Sequence, residues 1–300
     1  MIYTVTFNPA IDYVVHFEKL RPGEINRNES EEFQFGGKGI NVSNVLRTLG
    51  FDTVALGFVA GFIGEGFEKG LEEMGLKTDL IHVRDGMTRV NVKVKAAEET
   101  EINGIGPVIT GEDMAKLFDK LDAIGPDDML VLSGSIPKCL PGDTYERIMA
   151  RLDGRGIPIA VDATRDLLVN VLKYHPFLIK PNNHELGEIF GRVLKTDAEL
   201  VECARKLQEM GGRNVLVSMA GDGALLLDEA GEVHRIGCPK GKVKNSVGAG
   251  DSMVAGFIAG WLERGDYGYA LKLGTATGSA TAFSIGLAEK PLIDELLATL

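Results

Sequence analysis

The sequence predicts an α/β protein with a central, mostly parallel sheet covered by helices on both faces. Three observations carry this reading. Short runs of apolar, strand-type residues recur at 2–7, 53–59, 129–132, 157–161, 177–179 and 214–217. Segments with helical apolar spacing lie between them, at 39–49, 64–74, 113–124, 144–151, 165–172 and 198–210. Most of the later strand runs are apolar throughout rather than alternating, the pattern of strands buried on both faces.

The first run is β-rich and stops at Asn8-Pro9, and the helical pattern of 39–49 is closed by Gly50, that of 64–74 by Gly75. Two stretches break the rhythm. Residues 13–35 are polar and extended. Residues 89–102, R-V-N-V-K-V-K-A-A-E-E-T-E-I, alternate with period two around a polar turn near Glu98-Glu99. Both read as antiparallel strands outside the main sheet. They predict a small β-flap, about 13–35 and 88–105, inserted into one α/β unit spanning 1–300. A flap with one apolar face covers an active site, a second subunit, or both. Runs at 225–227 and 233–236 read as a late hairpin, and the chain after Gly250 reads as helical almost to the end.

Composition narrows the function. The net charge of −11 argues against nucleic acid as the main partner, since phosphate backbones recruit basic patches. It leaves room for a small phosphorylated ligand, which needs only a few local cations. Cys139, Cys203 and Cys238 are far apart with no CxxC spacing, which predicts no structural zinc and a reducing compartment. Neither a signal peptide nor a membrane-spanning run is read from the chain, so a cytoplasmic protein is the expectation.

The most informative stretch is K-N-S-V-G-A-G-D-S-M-V-A-G-F, residues 244–257. The apolar stripe Met253, Val254, Phe257, Ile258 and Trp261 places a helix directly after its glycines. A helix start has free N–H groups and the positive end of the dipole, an anion site. Asp251 in that first turn can act as a general base toward a hydroxyl that attacks a bound phosphate. It can equally be a plain N-terminal cap. A dinucleotide-type oxidoreductase is set aside, because the first strand is followed by Asn8-Pro9-Ala10 instead of G-x-G-x-x-G. A non-catalytic metabolite-binding protein would be expected to lack the base or the anion loop.

N-S-V-G-A-G-D-S resembles the signature of the ribokinase-like carbohydrate kinases, the phosphofructokinase B type, with Ser246 where threonine is common. Further motifs follow in the order that family shows and cover nearly the whole chain. The resemblance implies a ribokinase-like three-layer αβα fold with a small β-sheet lid. It assigns Asp251 as the base and the amides of Gly248, Ala249 and Gly250 as the anion hole. Gly36-Gly37-Lys38-Gly39-Ile40-Asn41 resembles the sugar-contacting loop, which implies Gly37, Lys38 and Asn41 as substrate residues; a glycine turn with a solvated lysine is the plainer alternative. Asp12, in Asn8-Pro9-Ala10-Ile11-Asp12, is implied to bind sugar hydroxyls, with an Asx-type turn as the competitor.

Lys180-Pro181-Asn182-Asn183-His184-Glu185 resembles the family's N-x-x-E motif. It implies Asn182 and Glu185 near Mg²⁺, through its water shell, with Lys180 at the nucleotide. A helix cap with an acidic first turn explains the same residues. Ser218-Met219-Ala220-Gly221-Asp222-Gly223 resembles the nucleotide loop S-x-G-x-x-G, with Ala220 in place of the first glycine. Ser218, Gly221, Gly223 and Ser246 are the implied nucleotide contacts, against a simple hairpin turn. Adenine is expected against the small-residue helix at 271–283.

Lys38, Arg89 and Arg27 are cations where a substrate phosphate would need them, and Ser133 opens the S-G-S-I-P element of the substrate end. Within the family, the flap sequence T-R-V-N-V-K-V-K and the following E-T-E-I-N-G-I-G-P are most similar to kinases of fructose 1-phosphate. The resemblance thus implies ATP- and Mg²⁺-dependent phosphorylation of that sugar at its 6-hydroxyl. Tagatose-6-phosphate kinase is the nearest rival. A homodimer through the flap is expected, with Arg27 serving its own or the partner's site.

Overall fold

The computed structural model describes residues 1–300. The chain starts in β1 (Ile2–Thr6), leaves for the flap with β2 (Ala10–His16) and β3 (Ser30–Gly36), and re-enters the body through α1 (Lys38–Thr48). There follow β4 (Thr53–Ala60), α2 (Gly61–Glu73) and β5 (Ile81–Val83). A second excursion supplies β6 (Arg89–Lys95) and β7 (Thr100–Ile102). The regular alternation then runs α3 (Gly111–Asp122), β8 (Met129–Ser133), α4 (Thr144–Leu152), β9 (Ile159–Asp162), α5 (Asp166–Val169), β10 (Leu178–Ile179), α6 (Asn183–Ile189), α7 (Asp197–Glu209) and β11 (Asn214–Ser218). A hairpin of β12 (Ala224–Leu227) and β13 (Val233–Ile236) precedes α8 (Ala249–Arg264), α9 (Tyr267–Ala282) and α10 (Lys290–Thr299).

The main sheet has the order β13-β12-β11-β10-β9-β8-β1-β4-β5. It is parallel from β11 to β5, and only the pairings of the late hairpin are antiparallel. Alternate strand residues point to opposite faces, and both faces are buried. Val5, Leu56, Phe58, Leu130 and Leu132 pack with Leu117, Ile148, Leu186 and Leu207 of α3, α4, α6 and α7. Ile2, Met129, Val131 and Leu216 pack with Val42, Val254, Phe257 and Leu273 of α1, α8 and α9. The result is the three-layer arrangement the alternating elements predict.

The four-stranded flap has the order β3-β2-β6-β7. Each hairpin is antiparallel as expected, but the two join in parallel, from Ala10 opposite Arg89 to His16 opposite Lys95. The reason is topological: β2 follows β1 and β6 follows β5, so both leave the same edge of a parallel sheet in the same direction. The flap also begins earlier than expected. Asp12 is therefore on a flap strand rather than in a turn at the end of β1. Phe35 anchors the flap, edge-on to Phe67 of α2 at 5.7 Å.

One local expectation fails, and one element goes unforeseen. The helix predicted over 165–172 is only the single turn of α5, followed by a 3₁₀ turn at Leu172–Tyr174. Val169-Asn170-Val171 are poor helix formers, and Arg165 and His175, at positive φ, turn the chain at either end. The strand β5 goes unpredicted because three residues are too few to show a period.

Candidate active site

The C-terminal ends of the parallel strands converge at the start of α8, the edge at which open α/β sheets bind ligands. Here α8 begins with Gly248 at its N-cap and no side chain capping it. Of the three amides expected to form the anion hole, that of Ala249 donates to Ser246 O at 3.2 Å and is not free, while those of Gly248 and Gly250, and the amide of Asp251, donate to no protein acceptor. The helix therefore presents bare amides and its positive dipole end. Asp251 sits in this first turn with its side chain buried, and Asn41 Nδ2 of α1 donates to its Oδ2 at 2.7 Å.

Two lysines and a second carboxylate complete a charge cluster in which Asp162 and Lys180 are buried and Lys38 is partly exposed. Lys38, at the start of α1, lies 3.1 Å from Asp162 Oδ2; Lys180, just past β10, lies 3.3 Å from Asp162 Oδ1. Lys180 also crosses the helix tip, its Nζ 3.3 Å from where a Cβ on Gly250 would lie. Burial pushes the Asp251 carboxyl up, Asp162 adds like-charge repulsion, and Lys38 and Lys180 only partly offset them, leaving its pKa at about 6. Burial also opposes ionisation of Asp162, but Lys180 and Lys38 outweigh it and hold that carboxyl below the usual aspartate value. For Lys38, burial disfavours the charge, yet Asp162 and Asp251 prevail and raise its pKa.

The loop before α1 fits this packing. Gly37 has φ of +136°, and a Cβ there would lie 2.7 Å from Thr6 Cγ2, so only glycine lets the turn pass over β1. Ser133 ends β8 opposite Asp162 in register, and its buried Oγ has no hydrogen-bond partner. Gly134 lies against the Lys38 side chain. The structure thus brings together Gly37, Lys38, Asn41, Ser133, Lys180 and 248–251.

The remaining candidates stand in other settings. Asn182 Oδ1 accepts from the amides of His184 and Glu185, while Glu185 Oε2 accepts from Asn182 N; together they form a capping box on α6. Glu185 lies close enough to Lys38 to favour its charge, and while its Oε2 accepts from Asn182 N, its Oε1 has no hydrogen-bond or ion-pair partner. One free carboxylate oxygen beside a cap suits an ion held through water, not a pair of direct ligands.

Ser218 ends β11 and bridges to Asn182. Gly221 is exposed in a 3₁₀ turn at Ala220–Asp222. Gly223 (φ +89°) packs so closely that a Cβ would lie 2.1 Å from Ile236 O, so its lack of a side chain serves the β12–β13 hairpin. Ala220, where the resemblance expects glycine, is held at φ +46°. The Ser246 side chain is exposed, and its carbonyl accepts from Ala249 N. The small residues of α9 meet α8 directly: a Cβ on Gly256 would lie 2.5 Å from Thr277 Oγ1.

On the flap, Asp12 is engaged by Lys93 Nζ at 2.9 Å and Asn91 Nδ2 at 2.7 Å. Arg89 Nε donates to Asn8 O at 3.0 Å. Burial lowers the Arg89 pKa against the pull of Asp12. Arg27 lies in the exposed β2–β3 loop and forms no ion pair, so the structure does not bring it to the cluster.

The structure also sets Asp162 beside Lys38 and Lys180, and Lys93 and Asn91 beside Asp12, neighbours that carry only weak signals in the sequence. The signal for Asp162 is an acid closing an apolar strand, I-A-V-D. For the flap pair it is the polar phase of V-N-V-K-V-K, which shares a face with Asp12.

Sequence comparison meets this geometry. Residues 3–294 match the pfkB family carbohydrate kinases, and the chain belongs to that family. It is 46% identical to a 1-phosphofructokinase of Bacillus subtilis (strain 168), over 99% of this chain and 97% of the relative. It is 37% identical to a D-tagatose-1-phosphate kinase of Bacillus licheniformis, over 98% and 97%. Among solved structures, phosphofructokinase-2 from Escherichia coli in complex with fructose-6-phosphate superposes with a TM-score of 0.92 at 26% identity, covering 100% of this chain and 98% of that one. The fold is ribokinase-like, and the protein is an enzyme, a sugar-phosphate kinase of this family. No helix is long and apolar enough to cross a membrane.

Proposed function

We propose that the enzyme transfers the γ-phosphoryl group of ATP to the 6-hydroxyl of fructose 1-phosphate, giving fructose 1,6-bisphosphate and ADP. The observation that carries this is the buried Asp251 carboxylate beside the bare amides of the α8 tip, with Lys38 and Lys180 at hand. Asp251 accepts the hydroxyl proton as the sugar oxygen forms its bond to phosphorus and the bridging bond to ADP breaks. The Gly250 and Asp251 amides, with the two lysines, meet the charge on the transferring group. Asn41 orients the base through its hydrogen bond. Asp12 accepts sugar hydroxyls from the flap, and Arg89 faces the substrate phosphate at the far end of the sugar, while Lys38, beside Asp162 and Asp251, belongs to the transferring group rather than to that phosphate.

Magnesium supplies charge neutralisation of the ATP phosphates when bound, and Glu185, with Asn182 behind it, is the pair suited to hold it through water. Ser218, Gly221 and Ser246 line the nucleotide side in this reading. We further assign residues 1–300 to one kinase unit working as a cytoplasmic homodimer. Its contact surface is the apolar row Phe33, Tyr13, Val92 and Ile102, one residue from each flap strand in register, of which Phe33 and Ile102 are both 62% exposed.

A second reading is favoured by the tagatose-1-phosphate kinase relative: the acceptor is tagatose 1-phosphate, the epimer of fructose 1-phosphate at carbon 4. This rival shares the 1-phosphate, unlike tagatose 6-phosphate. A coupled assay of ADP release with fructose 1-phosphate, tagatose 1-phosphate, fructose 6-phosphate and tagatose 6-phosphate decides between them. Fructose 1-phosphate should have the highest kcat/KM; any other acceptor in first place replaces the assignment.

A further inference from the structure

We propose that Lys93 is a positioning residue for sugar recognition: with Asn91 it fixes the Asp12 carboxylate in one orientation on the flap. The inference rests on the reading above that Asp12 meets the sugar.

The three residues share one face of the flap. In the parallel β2–β6 register Asp12 stands opposite Asn91, and Lys93 is two residues further along β6, on the same side. Each carboxylate oxygen has its own partner: Asn91 Nδ2 donates to Oδ1 at 2.7 Å, and Lys93 Nζ forms an ion pair with Oδ2 at 2.9 Å. The Lys93 and Asp12 side chains are only 13% and 14% exposed. That separates this pair from the solvated ion pairs elsewhere on the surface, such as Lys69–Glu73 at 76% and 70%, which hold nothing in place. A carboxylate this far out of water needs a compensating charge, and Lys93 supplies the only one bonded to it.

The anchor is itself anchored. Asn91 Oδ1 accepts from Gly104 N at 3.1 Å. The next residue, Ile105, accepts from Asn8 Nδ2 at 3.0 Å, and Asn8 O accepts from Arg89 Nε. The return segment after β7 thus secures both Asn91 and Arg89. On the other side the Asp12 carboxylate reaches the turn that opens α1, with Oδ2 3.4 Å from where a Cβ on Gly36 would lie. With both oxygens held, each still has acceptor capacity. A pair of sugar hydroxyls therefore meets a carboxylate already oriented, rather than one that must be ordered on binding. Lys93 acts through Asp12, and nothing links it to the α8 tip or to Lys180, so its effect belongs to the sugar and not to ATP.

The test is steady-state kinetics of Lys93→Met, Lys93→Gln and Lys93→Arg, using whichever acceptor the parent phosphorylates best. The Met and Gln variants should raise KM for the acceptor about tenfold while KM for ATP stays within about twofold, and Lys93→Arg should recover most of the loss. Acceptor KM within about twofold of the parent in a folded Met or Gln variant overturns the proposal. So does an equal rise in both KM values, which marks a strut for the fold. Should the parent phosphorylate none of the four sugars, it is the substrate reading that fails. The positioning role is then read from a crystal structure of Lys93→Gln: loss of the Asp12–Asn91 contact sustains it, an unmoved carboxylate ends it.

Discussion

Asp251 shows how one residue's surroundings set its chemistry. Its folded pKa of about 6 lies above the ordinary 3.8 because burial and Asp162 both disfavour the charge. A general base works only when ionised, so kcat/KM should climb with pH through about 6 and level off above it. Asp251→Asn should lower kcat by about 10²–10⁴-fold while leaving ATP binding, read by calorimetry, nearly unchanged; turnover close to the parent's would assign the proton to another group. The same shift has a sign for stability. The folded protein holds this proton more tightly than the unfolded chain does, so the contribution falls as pH rises from 3.8 through about 6. Removing the charge while keeping the shape should therefore stabilise the protein by about 3 kcal/mol at pH 7, seen as a higher denaturation midpoint at constant m. In the proposed mechanism, this is a charge that function retains and stability alone would not.

At the scale of elements, the same sequence device can cap a helix or hold an ion, and α6 shows the cap in place. Asn182→Ala removes the acceptor of two amides and should destabilise the fold by about 1 kcal/mol; Asn182→Asp, which keeps a capping oxygen, should not. Titrating kcat against Mg²⁺ in both variants separates the roles. If the Ala variant needs more Mg²⁺ and the Asp variant does not, the residue serves the metal through Glu185's placement. The α8–α9 contact makes a related point. Glycines and alanines after the anion loop let the two helices approach closely, and this fixes the direction in which the α8 tip points. Gly256 against Thr277 is where that approach is tightest, with no room for a Cβ.

For the whole molecule, the flap carries two faces of different chemistry, one polar and one apolar. Asp12, Asn91 and Lys93 lie on one; the row Phe33, Tyr13, Val92 and Ile102 lies on the other, with Tyr13 and Phe33 stacked at 4.8 Å. In a dimer built on that row, Phe33→Glu should shift sedimentation at micromolar concentration from dimer to monomer. Acceptor KM should rise with it, because a flap that loses its partner loses the order of Asp12. An unchanged sedimentation coefficient would place the interface elsewhere or remove it.

Period and punctuation in the chain were enough for the three layers, the late hairpin and the existence of a flap, because each depends on local patterns of apolar residues and turns. The helix tip at 248–251 was legible for the same reason: glycines, an acid and an apolar stripe are adjacent in the chain. What local pattern could not supply was pairing across distance. The parallel join of the two flap hairpins follows from where β1 and β5 end, and Asp162 meets Lys38 across 124 residues. Lys93 becomes a partner of Asp12 only when β6 lies beside β2. Charges buried together raise or lower one another's ionisation through space, and which of them are neighbours is decided by topology rather than by order along the chain.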